Sequence, residues 1–485
     1  MTEPAPARST RTVRTRGALI VSGRIVAGTA GLVAAAALVA ATLWAPLPTL
    51  TAGAAHTAVT PQLSEQMRVC AGAALRYDDE TEAAVGIEGL RLETSTTAGA
   101  PDATRQPIDN TGSTQGSSST VATVPAGDAT APAALAGATS QLIETEEISG
   151  FVAAECVEPR SDTWLVGGST STGRTTLIVL TNPGEVAASV TLSFYGADGP
   201  IDAPGADGII LAPHSETVLP LAGFAPGQAS PVVHAVSAGS PIVARMLHTT
   251  TRVLEPGGAA WVAPSAPPAR SLTIPGFVTI GHDTIEERTG APGFDDIEPL
   301  LRFFVPGDQD TRVTVSLTPE NGEAQVATEI DLRGGSVTDF ALEHFADGTY
   351  TVGVTAEIPI LVGAHVSVVG AESGSDHAWY TAPETLLTSA LVQLAPGPEP
   401  VLHLHNPTAA DATVDIAAGV SGTRSVTIPA GATHTERGFA AEGETVTLDG
   451  FAELRATVTY AGENQLGGYP ITPPAPTSQQ VTVYP

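Results

Sequence analysis

His403 and His405 are a pair of residues whose types and spacing could do chemistry. They alternate along an apolar stretch, so on a strand both side chains point to the same face. Two histidines placed in this way can begin a zinc or copper site. A third ligand at a definite spacing is missing, so we predict half-exposed strand residues, no metal site and no cofactor.

Serine and carboxylate patterns give no catalytic set either. The strings at 419–422 and 373–375 do not fit the G-x-S-x-G elbow, and they are predicted to be turns. Carboxylates cluster at Asp308 and Asp310 and in the loop 281–299, and oxygen-rich loops can hold calcium. The loop carboxylates are Glu286, Glu287, Asp295, Asp296 and Glu298. Because no D-x-D-x-D-G pattern is present, we predict that these acidic loops are solvated turns. Because no catalytic set is found, we predict that the protein is not an enzyme.

Cys70 and Cys156 are the two cysteines of the chain. An even number in an exported protein indicates a disulfide between them, with two free thiols as the alternative. Residues 94–142, which lie between them, are rich in Ser, Thr, Ala, Gly and Pro and are predicted to be a disordered linker. The bridge would then tie a membrane-proximal stalk, residues 46–93, to the first folded domain.

The charge of the chain is strongly negative. Among 485 residues, 51 are acidic and 21 basic, and the net charge is −30. Such a surface repels phosphate backbones, so we predict that the protein binds no nucleic acid. The chain also has 50 glycines and 39 prolines but only 15% charged residues, which suits many short strands joined by turns.

Residues 25–45 form an uncharged apolar stretch long enough to cross a bilayer as one helix. The preceding basic head, residues 1–24, is predicted to stay in the cytoplasm because arginines flank that side only. Trp44 suits the outer interface, and Pro46 ends the helix. We therefore predict a single-pass cell-membrane protein with its C-terminal part outside the cell. A cleaved signal peptide is the alternative.

Three stretches of the exported part repeat one pattern around Pro183, Pro306 and Pro407. Apolar residues stand three and five positions before each proline, and seven and nine positions after it. These residues are Ile178, Leu180, Val190 and Leu192; Leu301, Phe303, Val313 and Val315; Leu402, Leu404, Val414 and Ile416. Alternation with period two on both sides of a turn predicts a half-buried β-hairpin in each repeat.

Each repeat continues with a strand around Pro241, Pro359 or Glu453 and closes on an aromatic residue. The structural aromatics, predicted to fill or plug a core, are Trp164, Trp261, Trp379 and Tyr469. We predict an all-β fold with tandem immunoglobulin-like or β-sandwich domains after one transmembrane helix and the linker. The predicted domains are β-sandwich 1 at 143–268, β-sandwich 2 at 269–390 and β-sandwich 3 at 391–474, with a tail at 475–485.

Residues 163–199 and 259–277, which contain the strand–turn–strand and Trp–Pro motifs, resemble a family of exported single-anchor actinobacterial proteins. That family is known only as a domain of unknown function. The resemblance implies a cell-envelope setting and transfers no catalytic residue.

The predicted function is a non-catalytic cell-envelope protein whose extracellular domains interact with envelope proteins or wall glycan. A glycan-binding or accessory subunit of an envelope glycosyltransferase is one alternative, and a secreted hydrolase with an unrecognised site is another. The anchor, the linker and the repeat support the first of these three functions.

Overall fold

The computed structural model describes residues 57–59, 65–78, 83–97, 100–110, 113–115, 118–125, 134–253, 255–320, 326–342, 346–370, 374–473 and 481–483. Strands hold most of these residues and helices only a few, so the all-β prediction is confirmed. Two compact units are present, one comprising residues 1–61 and 479–485, the other residues 62–478. The larger unit holds four repeats of one strand order.

The first repeat, residues 66–155, contains short strands. In chain order, the strands up to its end are β1 (Thr57–Val59, in the smaller unit), β2 (Gln66–Cys70), β3 (Leu75–Asp78), β4 (Ala83–Gly86), β5 (Arg91–Thr96), β6 (Thr104–Pro107), β7 (Asp109–Asn110), β8 (Ser113–Gln115), β9 (Thr120–Val124), β10 (Leu135–Glu144) and β11 (Ser149–Glu155).

The second repeat, residues 162–262, consists of β12 (Asp162–Val166), β13 (Arg174–Asn182), β14 (Ala188–Gly196), β15 (Gly199–Ile201), β16 (Ile209–Leu211), β17 (Ser215–Pro220), β18 (Val232–Ala238), β19 (Val243–Arg252) and β20 (Glu255–Val262). A short 3₁₀ turn, Leu221–Gly223, follows β17.

The third repeat, residues 269–381, consists of β21 (Ala269–Thr279), the helix α1 (His282–Arg288), β22 (Leu300–Phe304), β23 (Thr311–Pro319), β24 (Val326–Leu332), β25 (Val337–Ala341), β26 (Gly348–Val369) and β27 (Ser375–Thr381).

The fourth repeat, residues 386–470, consists of β28 (Leu386–Gln393), β29 (Val401–His405), β30 (Ala412–Ala418), β31 (Gly422–Ile428), β32 (Thr433–Arg437), β33 (Thr445–Gly462) and β34 (Gln465–Pro470), with a 3₁₀ turn at Gly419–Ser421. The last strand, β35 (Val481–Val483), belongs to the smaller unit, where it pairs antiparallel with β1.

The third and fourth repeats share one topology. In the third, one sheet has the order β24-β23-β26-β21 and the other β27-β26-β22-β25, because the long strand β26 runs through both sheets. In the fourth, β33 takes the place of β26, and the orders are β31-β30-β33-β28 and β34-β33-β29-β32. The two sheets of a repeat face each other across a shared apolar core.

The second repeat has the same order with the long strand divided at Pro241 into β18 and β19. The first repeat has the same strand order with fewer strands: β2-β9-β6 in one sheet and β11-β10-β5 in the other. The predicted boundaries at 142/143 and 390/391 fall inside β10 and β28, so both are misplaced.

The predicted hairpins around Pro183, Pro306 and Pro407 are wrong. The strands on the two sides of each proline do not pair with each other: β22 pairs with β25 and β26, while β23 pairs with β24 and β26. Each proline turn therefore crosses from one sheet to the other. Alternating apolar residues on both strands face the same core in either arrangement, so a period of two does not identify the partner strand.

The first repeat also corrects the predicted stalk and disordered linker. The strands β6, β9 and most of β10 fall within 94–142, and β2 to β5 fall mainly within the stalk range. A small residue is required at position 137 because the disulfide side chain packs against its backbone: a Cβ on Gly137 would lie 2.6 Å from Cys156 Sγ. The disulfide Cys70–Cys156 is confirmed, and it joins the first strand of the first repeat to the residue that directly follows its last strand.

The predicted cytoplasmic head (1–24) and transmembrane segment (25–45) lie outside the described residues. Within the described ranges, no helix combines the length and the apolar character needed to cross a membrane.

The last strands of the four repeats, β11, β20, β27 and β34, pack around one point. At that point Asp376 is fully buried and accepts four backbone N–H bonds. Oδ1 accepts from Ala259 (3.2 Å) and His377 (2.8 Å), and Oδ2 from Phe151 (2.8 Å) and Leu466 (2.9 Å). One carboxylate thus joins all four repeats.

Candidate functional site

A cleft of about 810 Å³ opens where the second and third repeats meet. Its walls come from the 168–174 loop between β12 and β13, the end of β19, the 293–296 loop after α1, and the start of β22. Trp379 of β27 and two histidines also line it. Concave sites at the interface between domains are common positions for ligands.

Arg302 fixes one wall of this cleft. It stands opposite Asp339 in the β22–β25 register, and its Nε and Nη2 donate to Asp339 at 2.8 and 2.9 Å. Its other donors reach the carbonyls of Gly168 (2.7 Å), Pro231 (3.3 Å) and Ala229 (3.0 Å). Burial works to raise the pKa of Asp339, but the charge and hydrogen bonds of Arg302 bring that pKa below its usual value.

Asp296 fixes the opposite wall with two arginines of the second repeat. Its carboxylate accepts from Arg174 Nε and Nη2, both at 2.7 Å, and from Arg252 Nη1 at 2.5 Å. Both arginines also donate to the carbonyl of Gly293, at 2.9 and 2.7 Å. Burial acts to raise the pKa of Asp296, but these guanidinium groups hold it far below its ordinary value.

Three buried histidines, His248, His365 and His377, form the back of the site together with Trp379. The indole Nε1 of Trp379 donates to His248 Nδ1 at 3.1 Å. The ring centres of His248 and His377 are 4.7 Å apart, and those of His365 and His377 are 5.4 Å apart. Burial lowers the pKa of His248 to about 3 and that of His365 to about 4, so these rings are neutral at physiological pH.

The ion pairs at this cleft fix the protonation state and the position of its wall side chains. Asp296 and Asp339 remain ionised because of their arginine partners, so neither carries a proton that it could donate as a general acid. The neutral rings of His248 and His365 also line the cleft. The side chains that form the walls are fixed by ion pairs and backbone contacts, so the cleft is preorganised.

The structure places one of the predicted structural aromatics, Trp379, in this cleft, and all four are buried. Trp164 stacks on His234 with ring centres 3.8 Å apart. Trp261 lies in the core beneath the second repeat, and the Tyr469 hydroxyl donates to the carbonyl of Gln393 at 2.8 Å.

The predicted solvation of the acidic loop is wrong for Asp296, which is bound by two buried arginines. Asp295 remains mostly exposed. The sequence analysis named Asp295, Asp296 and Trp379 but missed their arginine partners, because Arg174 and Asp296 are 122 positions apart. A usable signal was present in β22: its sequence, LLRFF, places Arg302 inside an apolar strand, and such a charge requires a partner.

His403 and His405 are both buried rather than half-exposed, which corrects the prediction. His403 Nε2 lies 2.8 Å from Thr459 Oγ1, and its Nδ1 lies 2.7 Å from Glu320 Oε1. This hydroxyl–imidazole–carboxylate row is sealed between the third and fourth repeats: a Cβ on Gly276 would lie 2.6 Å from the His403 ring. It therefore connects repeats. Among the described residues, no group of three or more His, Cys, Asp or Glu side chains is arranged to hold a metal ion.

Comparison with known proteins identifies a family but no activity. No curated protein matches the chain. Among solved structures, it is similar to a calcium-binding mutant of Bacteroides uniformis beta-glucuronidase 2, with 9% sequence identity and a TM-score of 0.11. That match covers 71% of this chain and 34% of the other chain. A TM-score this low supports no conclusion about fold or function. A family model matches residues 110–436, and the chain belongs to that family, DUF5719, a family of unknown function.

Proposed function

We propose that this protein is a non-catalytic binding protein of the cell envelope and that the cleft between its second and third repeats is its ligand site. The observation that carries the proposal is the preformed cleft of about 810 Å³, whose buried arginines are held by Asp296 and Asp339. Fixed walls reduce the entropy lost on binding, and ionised, paired carboxylates favour recognition over acid catalysis.

The envelope location rests on the sequence. The basic head and the apolar stretch at 25–45 favour an anchor with the repeats outside the cell. The Cys70–Cys156 disulfide agrees with an oxidising compartment. We also propose that the repeats are tandem β-sandwich domains of immunoglobulin-like type, since each later repeat has two facing sheets around one core.

Retention of the full-length protein on purified envelope material tests the proposal. Thr172 is exposed at the rim of the cleft, and Thr172→Trp would obstruct the opening without removing an ion pair. Thr314→Trp, on the exposed face of β23, is the matched control. We expect the Thr172 variant to lose retention at least tenfold and the control to behave as wild type.

Equal retention of both variants would contradict a ligand role for the cleft. Hydrolysis of a glycan panel by the pure protein would contradict the non-catalytic assignment, and it would support the alternative of a hydrolase.

A further inference from the structure

We infer that the cleft accepts an uncharged, hydroxyl-rich ligand, a short neutral oligosaccharide. This inference rests on the proposed function and specifies the ligand's chemistry. Charge, hydrogen-bonding capacity and apolar surface in the cleft each support it.

The charges at the cleft balance. Three arginines, Arg174, Arg252 and Arg302, meet three aspartates, Asp295, Asp296 and Asp339. The flanking rings of His248 and His365 are neutral because of their burial. A site without net charge gives little Coulomb attraction to either an anion or a cation.

The donors of Arg302 and most donors of Arg174, which an anionic ligand at the cleft would need, are already occupied. A guanidinium has five N–H donors. Those of Arg302 go to Asp339 and to three backbone carbonyls. Arg174 donates to Asp296, Gly293 and Thr172. A phosphate or carboxylate would have to displace these buried bonds, and each displaced charged bond is costly.

The acceptors and hydroxyls at the rim remain accessible. Asp295 is 81% exposed and Asp296 33% exposed, so each can accept bonds from ligand hydroxyls. Ser171 and Thr172 add groups that both donate and accept. A carboxylate already fixed by arginines is a strong acceptor for a sugar hydroxyl, since charge-assisted bonds are the stronger class.

The apolar parts of the cleft fit the C–H faces of a sugar ring. Leu300 and Val253 line it beside Trp379, and Val253 is 67% exposed. Trp379 is held against Arg302, whose guanidinium carbon lies 4.7 Å from the indole centre. Polar rims next to apolar surface match the alternation of hydroxyls and C–H groups on a pyranose.

Isothermal titration of the full-length protein in detergent at pH 7 tests the inference. The probes are neutral oligosaccharides of glucose, mannose, galactose and N-acetylglucosamine, with oligogalacturonate and oligoglucosamine as anionic and cationic counterparts of similar length. We expect at least one neutral series to bind, and its charged counterparts to bind at least tenfold more weakly. Asp295→Ala should weaken binding about three- to tenfold, Thr172→Trp should abolish it, and Asp331→Ala, on the exposed face of β24, should leave it unchanged.

Two results overturn the inference, and they are distinguishable from failure of the proposed function. If only a charged series binds, and Thr172→Trp prevents it, the cleft is a ligand site of different chemistry. If no neutral series binds while retention on envelope material still depends on Thr172, the ligand is not a short neutral glycan. If envelope retention is also insensitive to Thr172→Trp, both proposals fail.

Discussion

Asp376 is the residue on which the packing of the four repeats converges. Its carboxylate accepts backbone N–H bonds from Phe151, Ala259, His377 and Leu466, and the first, second and fourth of these belong to other repeats. Burial raises its pKa, while the four donors act to lower it. The residue therefore satisfies buried donors that no strand pairing serves.

Asp376→Asn should destabilise the larger unit without altering its volume. The amide group of asparagine would face two of the N–H donors, and each unpaired buried donor costs about 1–3 kcal/mol. We expect the free energy of unfolding in urea to fall by about 2–6 kcal/mol. Asp331→Asn, a change at an exposed ion pair with Arg312, should leave the free energy of unfolding nearly unchanged, because solvent screens that pair. A loss equally small at Asp376 would contradict its bridging role.

The histidine cluster should make the protein sensitive to acid. In the folded state the pKa of His365 is about 4 and that of His248 about 3, against an ordinary value of 6.5, and burial is the main cause. Between pH 6.5 and 4 the unfolded chain binds protons that the folded chain excludes. Stability is therefore fully present above pH 6.5 and declines as the pH falls toward 4.

His377→Leu tests this directly, because burial also lowers the pKa of His377 well below its ordinary value. Within the described part of the chain neither of its ring nitrogens has a hydrogen-bond partner, so a leucine of similar volume should cost less than about 1.5 kcal/mol at pH 7. The slope of unfolding free energy against pH, from urea titrations between pH 4.5 and 6.5, should decrease by up to about 1.4 kcal/mol per pH unit.

Two controls separate this effect from other titrations. Glu155 contributes with the opposite sign, because burial raises its pKa to about 7, so stability from that group declines as pH rises from about 4.5 to 7. The comparison of variant with wild type removes this shared contribution. His282→Gln, outside the cluster at the start of α1, should leave the slope unchanged; an unchanged slope for His377→Leu as well would disprove the explanation.

The last strand of a repeat requires glycine where it packs closely against the last strand of another repeat. A Cβ on Gly258 of β20 would lie 2.4 Å from Asp376 Oδ1 and 2.6 Å from both Asp376 Cα and His377 N. Gly258→Ala should therefore push β20 away from β27 and lower the unfolding free energy by about 1–3 kcal/mol. Gly223→Ala, where no atom lies within 4 Å, should change it by less than about 1 kcal/mol; similar losses at both sites would contradict the steric explanation.

The elements also show how far the sequence predicts the fold. The repeat around Pro183, Pro306 and Pro407 identified the second and third strands of three repeats, because their apolar alternation follows the shared core. It did not reveal that these strands belong to opposite sheets. The first repeat was missed because Leu135–Glu144 packs through Ala, Gly, Ser and Thr, residues that composition assigns to linkers.

The candidate site was less predictable than the fold. The acidic loop drew attention to Asp295 and Asp296, but their partner Arg174 comes from another repeat, more than a hundred positions away. Only the folded chain brings β22, β13 and the loop after α1 together. A strand is recognisable in the sequence from its period-two apolar pattern, whereas an ion pair between two repeats produces no local pattern.

At the scale of the whole molecule, the repeats should behave as one cooperative unit rather than as independent domains. Buried bonds cross between them at Asp376 and again at Glu155 of the first repeat, which binds Arg68 and Thr472. Residues 62–478 form one compact unit. Domains linked by small polar contacts unfold separately, whereas shared buried contacts couple their transitions.

We therefore expect one calorimetric transition for the four repeats of the full-length protein in detergent. Asp376→Asn should lower the midpoint of that whole transition, because the lost bonds serve all four repeats. The exposed control Asp331→Asn should leave the midpoint within a few degrees of the wild-type value. Several resolved transitions in the wild type, or a midpoint shift confined to one of them in Asp376→Asn, would show that the repeats fold as separate domains.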